Sequence, residues 1–208
     1  FHQTQEHLAQ AFALPRELSE SGIRRYGFHG LSYEYVSRKL KEVAPDRADG
    51  RIVIAHLGNG ASLCAIHKGK SVATTMGFTP LDGLVMATRP GSVDPGLLTF
   101  LLAEDRVTLP ELETALSLRS GLLGLSGRSG DMRVILAARA AGDAQAALAF
   151  DVYVARLSEG IGANTLTPLR SNSGSERLER DVLSHAGVSD VLLFLGSNDI
   201  AKGATAAQ

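Results

Sequence analysis

The sequence predicts an α/β fold in which three consecutive antiparallel strands are followed by a series of helices. Two observations support this prediction. Between residues 51 and 76, short apolar runs rich in β-branched residues are separated by Asn-Gly and Lys-Gly-Lys, a pattern typical of β-hairpins. After Pro95 the apolar residues recur at helical spacing instead.

The strand unit has three runs in sequence. The first contains residues 52–54 and reaches a turn at 58–60, the second spans 61–66, and the third spans 71–76. Because consecutive short strands joined by tight turns pair with their neighbours, we expect one antiparallel sheet with a glycine-rich first turn.

That first turn, Gly58-Asn59-Gly60, has the composition of an anion-binding loop. Glycine permits positive φ and a close approach of the backbone to a ligand, and inward-pointing amides form an anion nest. His56 and Asn59 add side-chain donors. The alternative interpretation is a simple hairpin turn, which the spacing alone favours.

Helices are predicted on both sides of the strand unit. Before it, Ser32 is placed to cap a helix whose apolar face is expected to contain Val36, Leu40 and Val43. After it, Pro110 suits the first turn of a helix, and residues 120–131 read as a glycine- and serine-rich loop.

The helix expected directly after Pro95 has an apolar stripe of four leucines: Leu97, Leu98, Leu101 and Leu102. Two alanine-rich helices follow at 134–141 and 144–162, the second with Leu148, Val152, Ala155 and Ile161 facing inward.

Composition excludes several classes of protein. The 208 residues carry a net charge of −1, which gives no electrostatic case for a nucleic-acid or membrane partner. No apolar run approaches membrane-spanning length, and the first residues lack a signal pattern. The single cysteine, Cys64, excludes an internal disulfide and is expected to be a small buried apolar residue. We therefore expect a cytoplasmic protein.

Five sequence blocks, in order and at matching spacing, resemble the acetate kinase (acetokinase) family, which includes propionate and butyrate kinases. The blocks are RYGFHG at 25–30, HLGNG at 56–60, MGFTPLDGL at 76–84, TRPGSVDP at 88–95 and SGLLG at 120–124. The third block has Asp82 where the family has glutamate. The resemblance covers roughly residues 1–163. It implies the sugar-kinase/heat-shock/actin type of fold with its ribonuclease-H-like core. It also implies a phosphotransferase that converts ATP and acetate to ADP and acetyl phosphate, with Mg²⁺ as cofactor.

The resemblance assigns His29 and Arg89 as catalytic residues. A transferring phosphoryl group spreads negative charge over its oxygens, and the planar guanidinium of an arginine matches those oxygens. We expect the tips of both side chains to converge near Asn59. The alternatives are a surface salt bridge for Arg89 and a core histidine for His29.

The resemblance also assigns binding residues. Those for the nucleotide are His56, Leu57, Gly58, Asn59, Gly60, Asp131, Met132 and Arg133. Asp131 could equally be a helix cap. Phe28 and Pro80 match the family's apolar wall for the acyl methyl group. No metal ligand is assigned, because the family's magnesium-contacting acidic residue belongs to a segment that is absent here.

The sequence changes character near residue 164. We divide it into an inter-domain loop and helix segment at 1–50, an acetokinase-like nucleotide-binding core at 51–163, and a tail at 164–208. The tail contains a buried-type strand at 191–195, followed by Gly196-Ser197-Asn198-Asp199. It weakly resembles the SGNH (GDSL-type) hydrolases, in which the asparagine contributes to the oxyanion hole. The alternative is a generic helix–strand unit.

The chain begins Phe1-His2-Gln3-Thr4, which resembles the family's FHQT segment that follows an upstream aspartate. Without an initial methionine it is expected to be processed or a fragment, with weak or no turnover. The other hypotheses are an ester hydrolase remnant and a non-catalytic nucleotide-binding fragment. Apolar surface left uncovered in a fragment favours self-association.

Overall fold

A computed structural model describes residues 1–161 and the backbone of 190–195. A short 3₁₀ turn at His2–Thr4 is followed by α1 (His7–Gln10), α2 (Arg16–Glu20) and α3 (Gly30–Val43). Three strands come next: β1 (Arg51–Leu57), β2 (Ala61–His67) and β3 (Lys70–Thr74). The helices after them are α4 (Pro95–Ala103), α5 (Leu109–Leu118), α6 (Gly121–Ser126), α7 (Met132–Ala140) and α8 (Ala144–Ile161). The last element is β4 (Asp190–Leu195).

The four strands form one sheet in the order β3-β2-β1-β4. β1 pairs with β2 and β2 with β3 in antiparallel fashion, which confirms the predicted strand unit. β4 runs parallel to β1, with Ile52 opposite Asp190 and Leu57 opposite Leu195. The predicted strand at 191–195 is therefore confirmed, and it extends the sheet on the β1 side.

Side chains alternate between the two faces along each strand, so both faces of the sheet carry apolar residues. Each face packs against other parts of the chain. On one face Ile52 and Ile54 of β1 pack with Tyr33 and Leu40 of α3. On the other face Ala55 and Leu63 pack with residues of the loop after β3 and of α8, namely Met76, Leu84, Met86, Leu157 and Ile161. Cys64 is fully buried on the α3 face, as expected.

The helices after the strands form their own layer. Val85, Leu122, Ile135, Ala146 and Ala149 make a buried cluster that joins α6, α7 and α8. α5 begins with Thr108 and Glu111 in a capping box and carries a proline in its first turn, as predicted. No helix within residues 1–161 has the length and apolar character needed to cross a membrane.

Four local predictions are wrong. Val43, expected on the apolar face of α3, is 68% exposed. α3 begins at Gly30, with His29 as its N-cap, so Ser32 lies inside the first turn and does not cap it. Residues 120–131 are not all loop, because α6 forms there once Gly121 adopts a left-handed φ of 64°. Leu148, expected to face inward, is 48% exposed.

The apolar stripe of α4 is largely uncovered. No residue of α4 is buried, and Leu97 and Phe100 are about half exposed. The helix begins with Asp94, whose side chain accepts a hydrogen bond from the amide of Gly96. The helical spacing of the leucines therefore predicted the helix correctly, although other parts of the described chain leave its apolar stripe largely exposed.

Candidate functional site

The side chains of His29 and Arg89 converge on Gly60, in the turn between β1 and β2. A Cβ atom built on Gly60 would lie 3.0 Å from Nη2 of Arg89 and 3.2 Å from Nε2 of His29. The expected convergence near Asn59 is therefore confirmed. Any side chain at position 60 would occupy the space between these two nitrogen donors, so glycine at this position keeps it open.

His29 is held in place by its backbone and by one ring nitrogen. It is one of the few non-glycine residues with positive φ, at 60°, which turns its ring away from the start of α3. Its Nδ1 lies 2.8 Å from the hydroxyl of Ser62 on β2. The preceding carbonyl, that of Phe28, accepts a hydrogen bond from Nε2 of the buried His2 at 2.8 Å.

Arg89 is held by the loop that carries it. Its Nη1 donates to the carbonyl of Pro80 at 2.8 Å, which leaves Nη2 directed at Gly60. The amides of Ser120 and Leu122 donate to the carbonyls of Thr88 and Met86, so the start of α6 anchors this loop. The alternative of a surface salt bridge is not observed, because no carboxylate pairs with Arg89 among the described residues.

The glycine-rich turn differs in detail from its prediction. The amide of Gly58 donates to the carbonyl of Gly60 at 3.0 Å and is therefore not directed at a ligand. Neither glycine has positive φ, so the positive φ expected of them is not observed. The carbonyl of Asn59 accepts from the amide of Ala87 at 3.2 Å, which ties the turn to the loop that carries Arg89. Glycine matters at position 60 for close approach and not for φ.

His56 lies directly against His29. The two rings are stacked with centroids 3.9 Å apart and an interplanar angle of 18°, and Nδ1 of His56 lies 3.0 Å from the hydroxyl of Ser32. Burial lowers the pKa of His56. Leu57, the next residue, is partly buried and packs against the sheet core.

The Asp131-Met132-Arg133 segment starts α7. The Asp131 carboxylate accepts from the amide of Arg133 and pairs with its guanidinium at 2.7 Å, so the capping alternative is observed. Met132 packs in the helical layer. Gly130 packs closely on Ala87, because a Cβ there would lie 2.8 Å from the Ala87 carbonyl oxygen. Through Ala87 the segment is adjacent to the Gly58–Gly60 turn.

The two predicted wall residues adjoin different members of the site. Phe28 is partly buried against the sheet core, next to His29. Pro80 is exposed, and its carbonyl holds Arg89. Asp82, in the same loop, accepts hydrogen bonds from Ser92 and from the Gly83 amide and lies 3.4 Å from Arg25.

Sequence reasoning missed Ser62 and Tyr33, the residues behind His29. Ser62 is opposite His56 in the β1–β2 register, and the hydroxyl of Tyr33 is hydrogen-bonded to that of Ser62. Both residues are fully buried. A tyrosine four positions after His29 on the same helix lies one turn further on, which is a signal that could have identified it.

The ring of His29 is electrically neutral at physiological pH. Burial, followed by the nearby His56, Arg89 and His2, lowers its pKa to about 4. Each neighbouring positive group disfavours a second proton on the ring, and removal from water disfavours it further.

This pKa predicts a pH-dependent stability. In the unfolded chain the histidine binds a proton at higher pH than in the folded chain, so stability is fully present above pH 6.5 and is lost toward pH 4. Because His29 is partly exposed to screening solvent, we expect a loss of about 1–2 kcal/mol. Urea unfolding at pH 7 and pH 5 would measure it. In the His29→Gln variant the loss should shrink, and an equal loss in both proteins would contradict the assignment.

The described residues contain no metal-binding cluster. Across residues 1–161, no three histidine, cysteine, aspartate or glutamate side chains are placed to hold a metal ion. Gly196 to Asp199, on which the hydrolase resemblance depends, lie outside the described residues, so that interpretation stays a prediction.

Comparisons with known proteins address the resemblance directly. A family model described as the acetokinase family matches residues 1–171, eight residues past the expected limit of 163. The acetate kinase of Rhodopseudomonas palustris (strain TIE-1) is 52% identical over 164 residues, which make up 78% of this chain and 40% of that protein. The chain therefore spans about 40% of the length of the curated relatives it matches.

Solved structures give the same result. The acetate kinase of Porphyromonas gingivalis has a TM-score of 0.74 and 42% identity over 78% of this chain and 41% of its own. A propionate kinase from Francisella tularensis subsp. tularensis SCHU S4 has a TM-score of 0.75 and 31% identity over 93% of this chain and 58% of its own. These likenesses confirm the ribonuclease-H-like α/β fold. The second also extends into the tail.

Proposed function

The chain belongs to the acetokinase family, and from that membership we propose that it carries part of the phosphoryl-transfer site of an acetate kinase. The reaction is the transfer of a phosphoryl group between ATP and acetate. The observation that supports this best is the pair of donors at Gly60, where Nη2 of Arg89 and Nε2 of His29 lie about 3 Å from one point. Two donors directed at one open point suit an oxyanion.

In this proposal Arg89 and His29 stabilise the transferring group. The Arg89 guanidinium is fixed at one end by Pro80, so its other nitrogen needs little reorganisation to donate to a phosphoryl oxygen. His29, whose pKa is lowered to about 4, donates as a neutral ring and adds no second positive charge beside Arg89. In this proposal the arginine stabilises the negative charge of the phosphoryl group, and both side chains hold that group in position.

The neighbouring segments would hold the two substrates. The Gly58–Gly60 turn and the segment from Asp131 to Arg133, joined through Ala87, would contact the nucleotide. Phe28 and Pro80 would face the acyl group. Mg²⁺, which the family uses, would neutralise phosphate charge. The resemblance places the family's magnesium-contacting acidic residue outside this chain, so we propose that the protein contacts of the ion lie there.

Binding of ADP and ATP tests this proposal. We expect isothermal titration calorimetry to detect weak binding with a Kd near 1 mM, which corresponds to a binding free energy of about −4 kcal/mol. Arg89→Ala should weaken it by about tenfold or more, the contribution of one charge-assisted hydrogen bond. Arg128→Ala is the matched control, because Arg128 pairs with Asp143 at the far end of α6. No heat at millimolar nucleotide, or equal losses in both variants, would contradict the site.

Three further proposals follow from family membership and the sequence. The division into segments 1–50, 51–163 and 164–208 is one of them, and a cytoplasmic location is another. The third is self-association of the chain through exposed apolar surface, of which α4 offers Leu97 and Phe100. Sedimentation velocity would test the last, since a monomer at all concentrations would rule it out.

A further inference from the structure

Behind His29 lies a buried pair of hydroxyl groups, joined to each other and to the histidine ring by hydrogen bonds. Nδ1 of His29 is 2.8 Å from the hydroxyl of Ser62, and that hydroxyl is also bonded to the hydroxyl of Tyr33. Tyr33 and Ser62 are both fully buried. Buried hydroxyl protons need acceptors, so the direction of each bond can be worked out from the available partners.

Three arrangements of the protons fit these contacts. In one, Tyr33 and Nδ1 of His29 both donate to Ser62, whose own proton then has no side-chain acceptor among the described residues. The other two differ in the direction of the whole series of hydrogen bonds. In the first of these, Tyr33 donates to Ser62 and Ser62 donates to Nδ1 of His29. In the second, His29 donates from Nδ1 to Ser62, and Ser62 donates to Tyr33. The second leaves the proton of the Tyr33 hydroxyl without an acceptor, because its other contact, with the backbone of His56, lowers the pKa of Tyr33 and is therefore a donating N–H. The first satisfies every donor.

We propose that Tyr33 and Ser62 are positioning residues that fix His29 as the tautomer protonated at Nε2 and direct that N–H at Gly60. This inference deepens the proposed function and rests on it for its meaning, because Nε2–H then joins Nη2 of Arg89 as a second donor to a phosphoryl oxygen. A bare Nε2 would present a lone pair to that oxygen and repel it.

The other groups around His29 agree with this assignment. His56 stacks on one side of the ring, Arg89 approaches its edge, and His2 lies behind Phe28. Burial and these neighbours keep the pKa of His29 low, so the ring carries one proton. That proton is then on either Nδ1 or Nε2. Burial also raises the pKa of Tyr33, which keeps its hydroxyl protonated as a donor.

We call the hydrogen-bonded series from Tyr33 through Ser62 to Nδ1 of His29 the relay. A second histidine, His2, provides an internal control for it. His2 has the same local arrangement, with Nδ1 2.9 Å from the hydroxyl of Ser71 and Nε2 donating to the carbonyl of Phe28. Ser71→Ala therefore removes a buried serine hydroxyl from a different histidine. Ser62→Ala and Tyr33→Phe remove the two members of the proposed relay.

The test is a two-dimensional ¹H–¹⁵N spectrum of the histidine rings in the full 208-residue chain at pH 7. Protonated and bare ring nitrogens have well-separated shifts, and the signals that disappear in His29→Gln identify His29. We expect Nε2 protonated and Nδ1 bare and hydrogen-bonded in the unsubstituted chain. In Ser62→Ala and Tyr33→Phe the Nδ1 signal should shift and the Nδ1–H form should appear. Ser71→Ala should leave both signals of His29 in place.

Two results would overturn the relay. One is a proton on Nδ1 of His29 in the unsubstituted chain, a measurement that requires no variant to fold. The other is a set of His29 signals that stays the same in Ser62→Ala and Tyr33→Phe while both variants keep the remaining spectrum. Neither result depends on nucleotide binding, so failure of the relay and failure of the proposed function are distinguishable.

Discussion

Replacing Gly121 by alanine is expected to lower the free energy of unfolding by about 3 kcal/mol or more, because two costs add. The residue has a φ of 64°, which strains any residue with a side chain. A Cβ there would also lie 2.2 Å from the carbonyl oxygen of Met86 and 2.7 Å from that of Arg89. Backbone on both sides would have to move, and the loop that aims Arg89 would move with it.

The other end of α6 provides the control for this substitution. Gly127 has a similar φ of 61°, but nothing lies within 4 Å of its would-be Cβ. Gly127→Ala should therefore cost only the backbone strain, about 1 kcal/mol. Urea unfolding of the two variants would measure the difference. Equal losses would mean that the loop yields to the added methyl group and that Gly121 does not fix the position of Arg89.

The second large effect is a deficit in turnover. The 208-residue polypeptide, assayed alone, should convert acetate and ATP at less than about 10⁻⁴ of the rate of a full-length acetate kinase. Each lost contact to the developing charge typically costs a factor of about 10² to 10³. The chain covers about 40% of the length of the Rhodopseudomonas palustris relative, and phosphoryl transfer requires donor, metal and acceptor to be held together in one site.

A coupled assay of ADP release would measure this turnover, with a full-length acetate kinase at equal concentration as the control. If residual turnover is detectable, Arg89→Ala should lower it by about a hundredfold, the loss expected for a cation that stabilises the transition state. Turnover of the unsubstituted chain within tenfold of the full-length enzyme would contradict the proposal. It would show that residues 1–208 suffice for catalysis.

The sequence predicted the strand unit and the later helices well for a local reason. Asn-Gly and Lys-Gly-Lys stop the apolar runs at the places where β1 and β2 end, and Pro110 marks the first turn of α5. It failed at α6, where glycine and serine composition read as loop. That helix is fixed by its contacts with the carbonyls of Met86 and Thr88, which are distant in sequence.

The convergence of His29 and Arg89 was predictable, but the contacts that produce it were not. His29 and Arg89 were identified through the resemblance, because nothing in local spacing brings residues so far apart in sequence to one glycine. The importance of Gly60 was expected for the wrong reason, since its φ is ordinary and only the two approaching side chains require it. The link from Tyr33 through Ser62 depends on the packing of α3 across β2, which sequence spacing does not specify.

The central claim is that an oxyanion binds at Gly60 between His29 and Arg89. The most direct measurement is a titration with inorganic phosphate, followed by the backbone amide signals of the full chain in a ¹H–¹⁵N spectrum. Gly60→Ala would fill the point where the donors meet. Gly30→Ala is the control, since its Cβ would make only an ordinary 3.4 Å contact with Phe1. We expect phosphate to shift the amides of residues 59 and 60 and the ring signals of His29. The response should be lost in Gly60→Ala and kept in Gly30→Ala. Shifts confined to other parts of the chain, or an undiminished response in Gly60→Ala, would contradict the claim.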